Sequence, residues 1–138
     1  METNDSIYAF ASGSTVNRKV LNIEEVNYFL HQFRITPNYK GYHYFIEAYA
    51  LAAEDPWRLT LITKLIYPEI AKKYKTSNEA VERDLRNIKN YMWRINKRLM
   101  CEICQTAFTK CPPVSSLLAA LISSPYVFPK GRNIGDES

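Results

Sequence analysis

Residues 66–98 read IYPEIAKKYKTSNEAVERDLRNIKNYMWRINKR, and how this stretch folds decides the class of the whole chain. It divides into a short periodic segment, Pro68 to Tyr74, a polar turn, Lys75-Thr76-Ser77-Asn78, and a longer periodic segment reaching about Arg98. Thr76 and Glu79 have the spacing of a capping box, in which each side chain satisfies a free backbone N–H of the first helical turn. At about 100° per residue, Val81, Leu85, Ile88 and Met92 fall in one narrow sector, which predicts a helix over about 77–98 with that sector in a core. Pro68 either kinks a helix running through Leu59 to Tyr74 or opens a new one. The layout is that of a helix-turn-helix, and it predicts an all-α domain.

Working outward, Asn22 is placed three residues before Glu25 as a helix cap, and Ile23, Val26, Phe29, Leu30 and Phe33 follow at helical spacing until Thr36-Pro37-Asn38. A second helix is expected from about Tyr39 to Glu54, with Tyr42, Phe45, Ile46, Tyr49 and Ala50 along its apolar stripe and Asp55-Pro56 closing it. Leu61, Leu65, Ile66, Ile70 and Tyr74 continue the pattern into the opening stretch. Beyond it, two shorter helices are expected at about 99–108 and 114–123, separated by Cys111-Pro112-Pro113. The expectation is a single domain of about six helices at 21–124, between a flexible arm, 1–20, and a flexible tail, 125–138.

Size and composition agree. A chain of 138 residues, 46% hydrophobic and 23% charged, has room for one core. Its four glycines leave no glycine-rich phosphate loop and disfavour a hairpin-rich β fold. No apolar run nears the ~20 residues of a membrane span, and the polar start, Met1 to Asp5, is not a secretory signal, so no membrane partner and a cytoplasmic location are expected.

Charge is where function begins to show. The net charge is only +4, yet from Lys64 to Arg98 ten basic residues stand against four acidic ones, leaving the remainder slightly acidic. Opposite the core sector of the long helix lie Glu79, Arg83, Arg86 and Asn90, flanked by Glu82 and Lys89. Arginine can fork onto guanine, asparagine onto adenine, and a carboxylate can accept from cytosine N4, so Glu79, Glu82, Arg83, Arg86 and Asn90 are candidate base readers. Lys72, Lys73, Lys75, Thr76, Ser77 and Lys89 are candidate phosphate contacts, which fix register without reading sequence. Any amphipathic helix also has a solvated charged face, so pattern alone leaves an uncommitted helical domain open.

Other groupings carry less. Cys101-x-x-Cys104 with Cys111 is half of a metal motif whose second half is missing, with His31 and His43 distant in sequence. The ten tyrosines, at helical spacing, read as core residues with a polar tip. Glu24 and Glu25 point about 100° apart and need no catalytic explanation. No nucleophile–base arrangement has a local signature. No enzyme, cofactor, metal or small-molecule substrate is expected.

The strings Lys40-Gly41-Tyr42-His43-Tyr44, Glu47-Ala48, then Ile62-Thr63-Lys64-Leu65-Ile66-Tyr67-Pro68-Glu69-Ile70-Ala71-Lys72-Lys73-Tyr74, then Val81-Glu82-Arg83 and Arg86, resemble the C-terminal effector domain of the stage-zero sporulation master response regulator of endospore-forming bacteria. Similarity extends more weakly from about Ile23 to Ile122. The resemblance implies a six-helix domain that binds double-stranded DNA through a helix-turn-helix whose second helix enters the major groove. By position, Glu82 and Arg83 would contact bases and Arg86 would face the same side. Where that family usually has a further arginine, this chain has Ala80, preceded by Glu79 in place of a small polar residue. A changed or looser DNA preference is therefore implied.

Resemblance also implies a homodimer or head-to-tail copies on tandem sites, with Leu117, Leu118 and Leu121 of the last helix contributing to protein contacts. About twenty residues precede the similar region, too few for a phosphoacceptor receiver domain, so a stand-alone effector without direct phospho-switching is expected. The expected function is a sequence-specific transcription regulator of bacterial sporulation type. The alternative is a protein-interaction module, or an antagonist of a related regulator, on the same scaffold with DNA binding weakened or lost.

Overall fold

The computed structural model describes residues 23–123; the arm at 1–20, the tail at 125–138 and the Asn22 cap lie outside the described residues. Six α-helices and one 3-10 helix make up the described residues, with no strand among them. They are α1 (Ile23–His31), α2 (Lys40–Glu54), a 3-10 helix (Pro56–Leu61), α3 (Ile62–Leu65), α4 (Tyr67–Lys73), α5 (Asn78–Cys104) and α6 (Val114–Ser123).

The core begins where α1 meets α2. Phe29 stacks on Phe45 at 5.9 Å and meets Phe33 edge-on at 5.3 Å, in the offset and T-shaped arrangements that ring quadrupoles favour. The Tyr42 hydroxyl donates to Asn27 Oδ1 at 2.5 Å, tying the same two helices at the rim. Ile23, expected inside, is 50% exposed.

The inner face of α2 differs from the expected stripe. Gly41, Tyr42, Tyr44, Phe45, Ala48, Tyr49 and Ala52 are buried, whereas Ala50 is exposed and Ile46 is half-buried. The centre of the buried face is turned by roughly 80° from the expected stripe toward the small residues. Helix α5 packs on this side. A Cβ added at Gly41 would lie 2.6 Å from Ile88 Cδ1 and 2.9 Å from the Asp84 carbonyl oxygen, so the backbones of α2 and α5 approach as closely as they do only because residue 41 has no side chain.

After α2, Asp55 accepts from the Trp57 N–H at 3.2 Å and caps the 3-10 helix. Arg58 Nη1 donates to the Leu51 carbonyl at 2.7 Å and to Glu54 at 2.9 Å, joining the 3-10 helix back to α2. Pro68 stands in the first turn of α4, where its missing N–H leaves no helical bond unmade, so it opens a helix rather than kinking one. Ile66 and Ile70 are buried; Leu61 and Tyr74 of the same expected stripe are exposed.

Helix α5 runs through an interruption. Asn96 leaves helical geometry at φ −162° and ψ 77°, and its Oδ1 accepts from the Leu99 N–H at 3.1 Å, which recaps the chain for a last stretch to Cys104. The expected break near Arg98 thus falls at Asn96. The following segment ends before 108, because Gln105 turns left-handed at φ 55° and Thr106 N–H bonds back to the Cys101 carbonyl. Val81, Leu85, Ile88 and Met92 are all buried. In α6, Leu117, Leu118 and Leu121 are buried in this same core, so a second copy could not reach them without unpacking the helix.

In an exposed helix Gly→Ala gains about 1 kcal/mol. Gly41→Ala is expected to do the reverse and destabilise the domain by about 1–3 kcal/mol, the usual cost of overpacking, read as a lowered urea midpoint with m unchanged.

Candidate nucleic-acid interface

The interface candidate is built from α4, the turn after it and the first three turns of α5. Tyr74 ends α4, Lys75 adopts φ 54°, and Thr76 N–H donates to the Ala71 carbonyl at 2.9 Å while Lys75 N–H reaches the Lys72 carbonyl at 3.4 Å. This is a paired C-terminal closure that usually employs glycine at the left-handed position. Ser77, rather than Thr76, then caps α5: its Oγ accepts from the Ala80 N–H at 3.1 Å. The serine proton remains available to a further acceptor.

Glu79, Glu82, Arg83, Arg86 and Asn90 are all exposed, on the side of α5 away from Val81, Leu85 and Ile88. Arg86 Nη1 lies 3.7 Å from Glu82 Oε2, an exposed pair one helical turn apart that opens at little cost. Arg83 Nε is 3.4 Å from Asp84 Oδ1, which leaves the rest of the guanidinium fork open. The other oxygen, Asp84 Oδ2, is shut from solvent with no hydrogen-bond partner. Asn90 Oδ1 accepts from the Cys111 thiol at 3.4 Å, so the segment before α6 is fastened to the far end of this face.

The lysines differ among themselves. Lys73 is paired with Glu47 of α2, and that hydrogen bond raises its pKa. Lys72 and Lys75 are exposed, and neither forms an ion pair among the described residues. Lys89 is half-buried along a cleft of about 230 Å³ that also takes in Thr63, Tyr67, Glu82, Arg86 and Ser115. Tyr67 lies beneath that pair of opposite charges; burial first, and Glu82 second, push its hydroxyl from 10 up to about 12, with Arg86 opposing.

A second cleft, of about 340 Å³, is lined by Lys40, His43, Tyr44, Tyr74, Lys75 and Thr76. Thr63, Ser115, Lys40 and His43 were not candidates on sequence. Lys40 and His43 come to the turn, and Thr63 and Ser115 to the cleft beside Arg86, from other segments of the chain, and no local pattern brings them there. Elsewhere, Cys104 is buried with its thiol pushed up to about 12 by burial, and Cys101 donates to the Phe108 carbonyl at 3.7 Å. Among the described residues no group of three His, Cys, Asp or Glu side chains is placed to hold a metal ion, and no helix is long and apolar enough to cross a membrane.

A family model described as "Sporulation initiation factor Spo0A C terminal" matches residues 26–123 of the 138. The match takes in every described helix from α2 to α6 and most of α1.

Two outcomes follow from the local chemistry. Ser77→Ala should cost about 1 kcal/mol of stability through the lost cap, read by urea unfolding. Because the folded pKa of Tyr67 lies above its ordinary value, the stability it contributes is complete below pH 10 and is lost as pH rises toward 12. Tyr67→Phe should therefore flatten the decline of stability over that window, measured by denaturant titrations at stepped pH.

Proposed function

The chain belongs to the family of sporulation initiation factor C-terminal domains, which are DNA-binding effector domains, and from that premise we propose that it regulates transcription by sequence-specific binding to double-stranded DNA. Helix α5 enters the major groove with its exposed face toward the bases, and α4 with the turn Tyr74 to Ser77 makes the helix-turn-helix that sets its angle. The observation that carries this reading is the exposure of five side chains of three base-pairing types, Arg83, Arg86, Asn90 and Glu79 opposite the buried stripe of α5 and Glu82 on its flank.

Roles follow from chemistry. Arg83 and Arg86 present forks suited to guanine O6 and N7, Glu82 and Glu79 accept from cytosine N4, and Asn90 pairs with adenine. From Glu79 to Asn90 the helix rises about 16 Å, close to five base-pair steps of 3.4 Å. The Glu82–Arg86 pair holds both side chains near their working positions and releases them to bases at small cost. Lys72, Lys75, Thr76, the remaining Ser77 proton and Lys89 bind phosphates. Lys73, already paired with Glu47, contributes its charge less directly.

Ala80 removes one possible arginine from the reading face, so the preferred sequence rests on Arg83 and Arg86. Arg83→Glu is expected to erase discrimination between a duplex selected from a random library and its scrambled form, a loss of about 1–3 kcal/mol per recognised pair. The check is a competition mobility shift at fixed salt. An undiminished preference in that variant removes Arg83 from the reading set. Failure of the wild-type chain to bind any duplex at low salt overturns the DNA reading and favours a protein-interaction role.

A further inference from the structure

The cleft between the start of α2 and the interhelical turn has a composition that base reading does not explain. Lys40 and Lys75 stand 35 positions apart in the sequence, yet both line it, together with Thr76 and His43. No carboxylate lines it, and among the described residues neither lysine has an acidic partner. Lys73, two residues before Lys75, shows the contrast, for it is paired with Glu47. Two like charges gathered at one cleft repel, and an anion seated between them reverses the sign of that interaction.

We propose that this cleft seats a backbone phosphate of the DNA strand that borders α5 on its α2 side, with Lys40 and Lys75 supplying charge and Thr76 a neutral donor. The proposal rests on the reading of α5 as the groove-entering helix. Its support is placement. Gly41, next to Lys40, packs on Asp84 and Ile88, which puts the start of α2 on one flank of α5. Glu82, Arg86 and Lys89 line the other cleft, and their helical positions put it on a different side of α5 from Asp84 and Ile88. Arg83 and Asn90 thus lie between the start of α2 on one side and the Glu82–Arg86 edge of the reading face on the other, so a strand that borders α5 on its α2 side passes the first cleft. Thr76 directly precedes the cap of α5, so an anion in the cleft lies next to the start of that helix. His43 Nε2–H donates to the Pro37 carbonyl at 2.7 Å, which fixes its ring as part of the wall.

Lys75 also provides an unusual experimental handle. Its φ of 54° is shared by Arg34 (64°) and Gln105 (55°) at two other helix ends, so the strain itself is a habit of this fold and not a mark of the cleft. Glycine at any of these positions relieves that strain, but only at 75 does it remove a cleft cation.

The test measures binding of the full chain to duplex DNA between 50 and 200 mM salt for the wild type, Lys40→Gln, Lys75→Gly and the control Gln105→Gly. Each lysine variant should shift the slope of log Kobs against log salt by about 0.9 toward zero, equally for selected and scrambled duplexes, while Gln105→Gly keeps the wild-type slope. Lys75→Gly and Gln105→Gly should both raise Tm by a few degrees, which separates lost binding from lost folding. Duplexes carrying single neutral methylphosphonates should show one position that weakens wild-type binding and no longer weakens Lys40→Gln.

Unchanged slopes in both lysine variants, with intact wild-type binding, overturn the proposal and leave the base-reading role of Arg83 standing. A Tm rise with inorganic phosphate that exceeds chloride at equal ionic strength and vanishes in Lys75→Gly, without any slope change on DNA, reassigns the cleft to a free anion. Absence of wild-type duplex binding overturns this proposal together with the reading beneath it.

Discussion

The close approach of α2 and α5 at Gly41 is the constraint on which the placement of the candidate DNA face depends. Glycine inside a helix costs about 1 kcal/mol relative to alanine, so its presence in the second position of α2 needs a compensating contact. That contact is with the Asp84 carbonyl and the Ile88 side chain. Behind it, the ring contacts of Phe29 with Phe33 and Phe45 hold α1 against α2. With α5 drawn onto that pair, Val81, Leu85, Ile88 and Met92 are committed inward and the arginines of the opposite face are left in solvent. The side-chain oxygen Asp84 Oδ2 is shut from water without a partner, a local cost.

Polar side chains do the punctuation that glycines and prolines do in many helical proteins. Arg34, Lys75 and Gln105 take the left-handed positions at helix ends, Ser77 opens α5, Asp55 opens the 3-10 helix and Asn96 interrupts and recaps α5. In a chain with four glycines this arrangement keeps hydrogen-bonding and charged groups at the corners of the fold. One of those corners, Lys75, lies in the turn that precedes the groove-entering helix. A structural position that usually excludes large side chains thereby carries a cation next to the start of α5.

Much of this is legible in the sequence. The apolar stripe of α5 could be read from its spacing, because a single helix buried on one side obeys a simple period. Pro68 left two alternatives that only packing could decide. On α2 the large aromatic residues define a stripe that includes Ala50, which is exposed; the buried face instead centres on the small residues that let a neighbour come close. Thr76 and Ser77 are both competent caps, and backbone geometry rather than residue type chose Ser77. The spacing puts the break near Arg98, two residues after Asn96, because asparagine within a helical period carries no unique signal. Lys40 and His43 were invisible as binding residues, since their relation to Lys75 is made by the fold and not by the sequence.

In the proposed function the exposed side of α5 and the turn before it form the surface that meets DNA. The most direct measurement is a backbone amide titration by NMR, in which the labelled chain is titrated with a duplex selected from a random library. The account predicts that the largest shifts fall on residues 75–90 and at the start of α2, with α1 and the end of α6 unmoved. Shifts confined to α1, α6 or the segment after Asn96, with residues 77–90 silent at saturation, would contradict it.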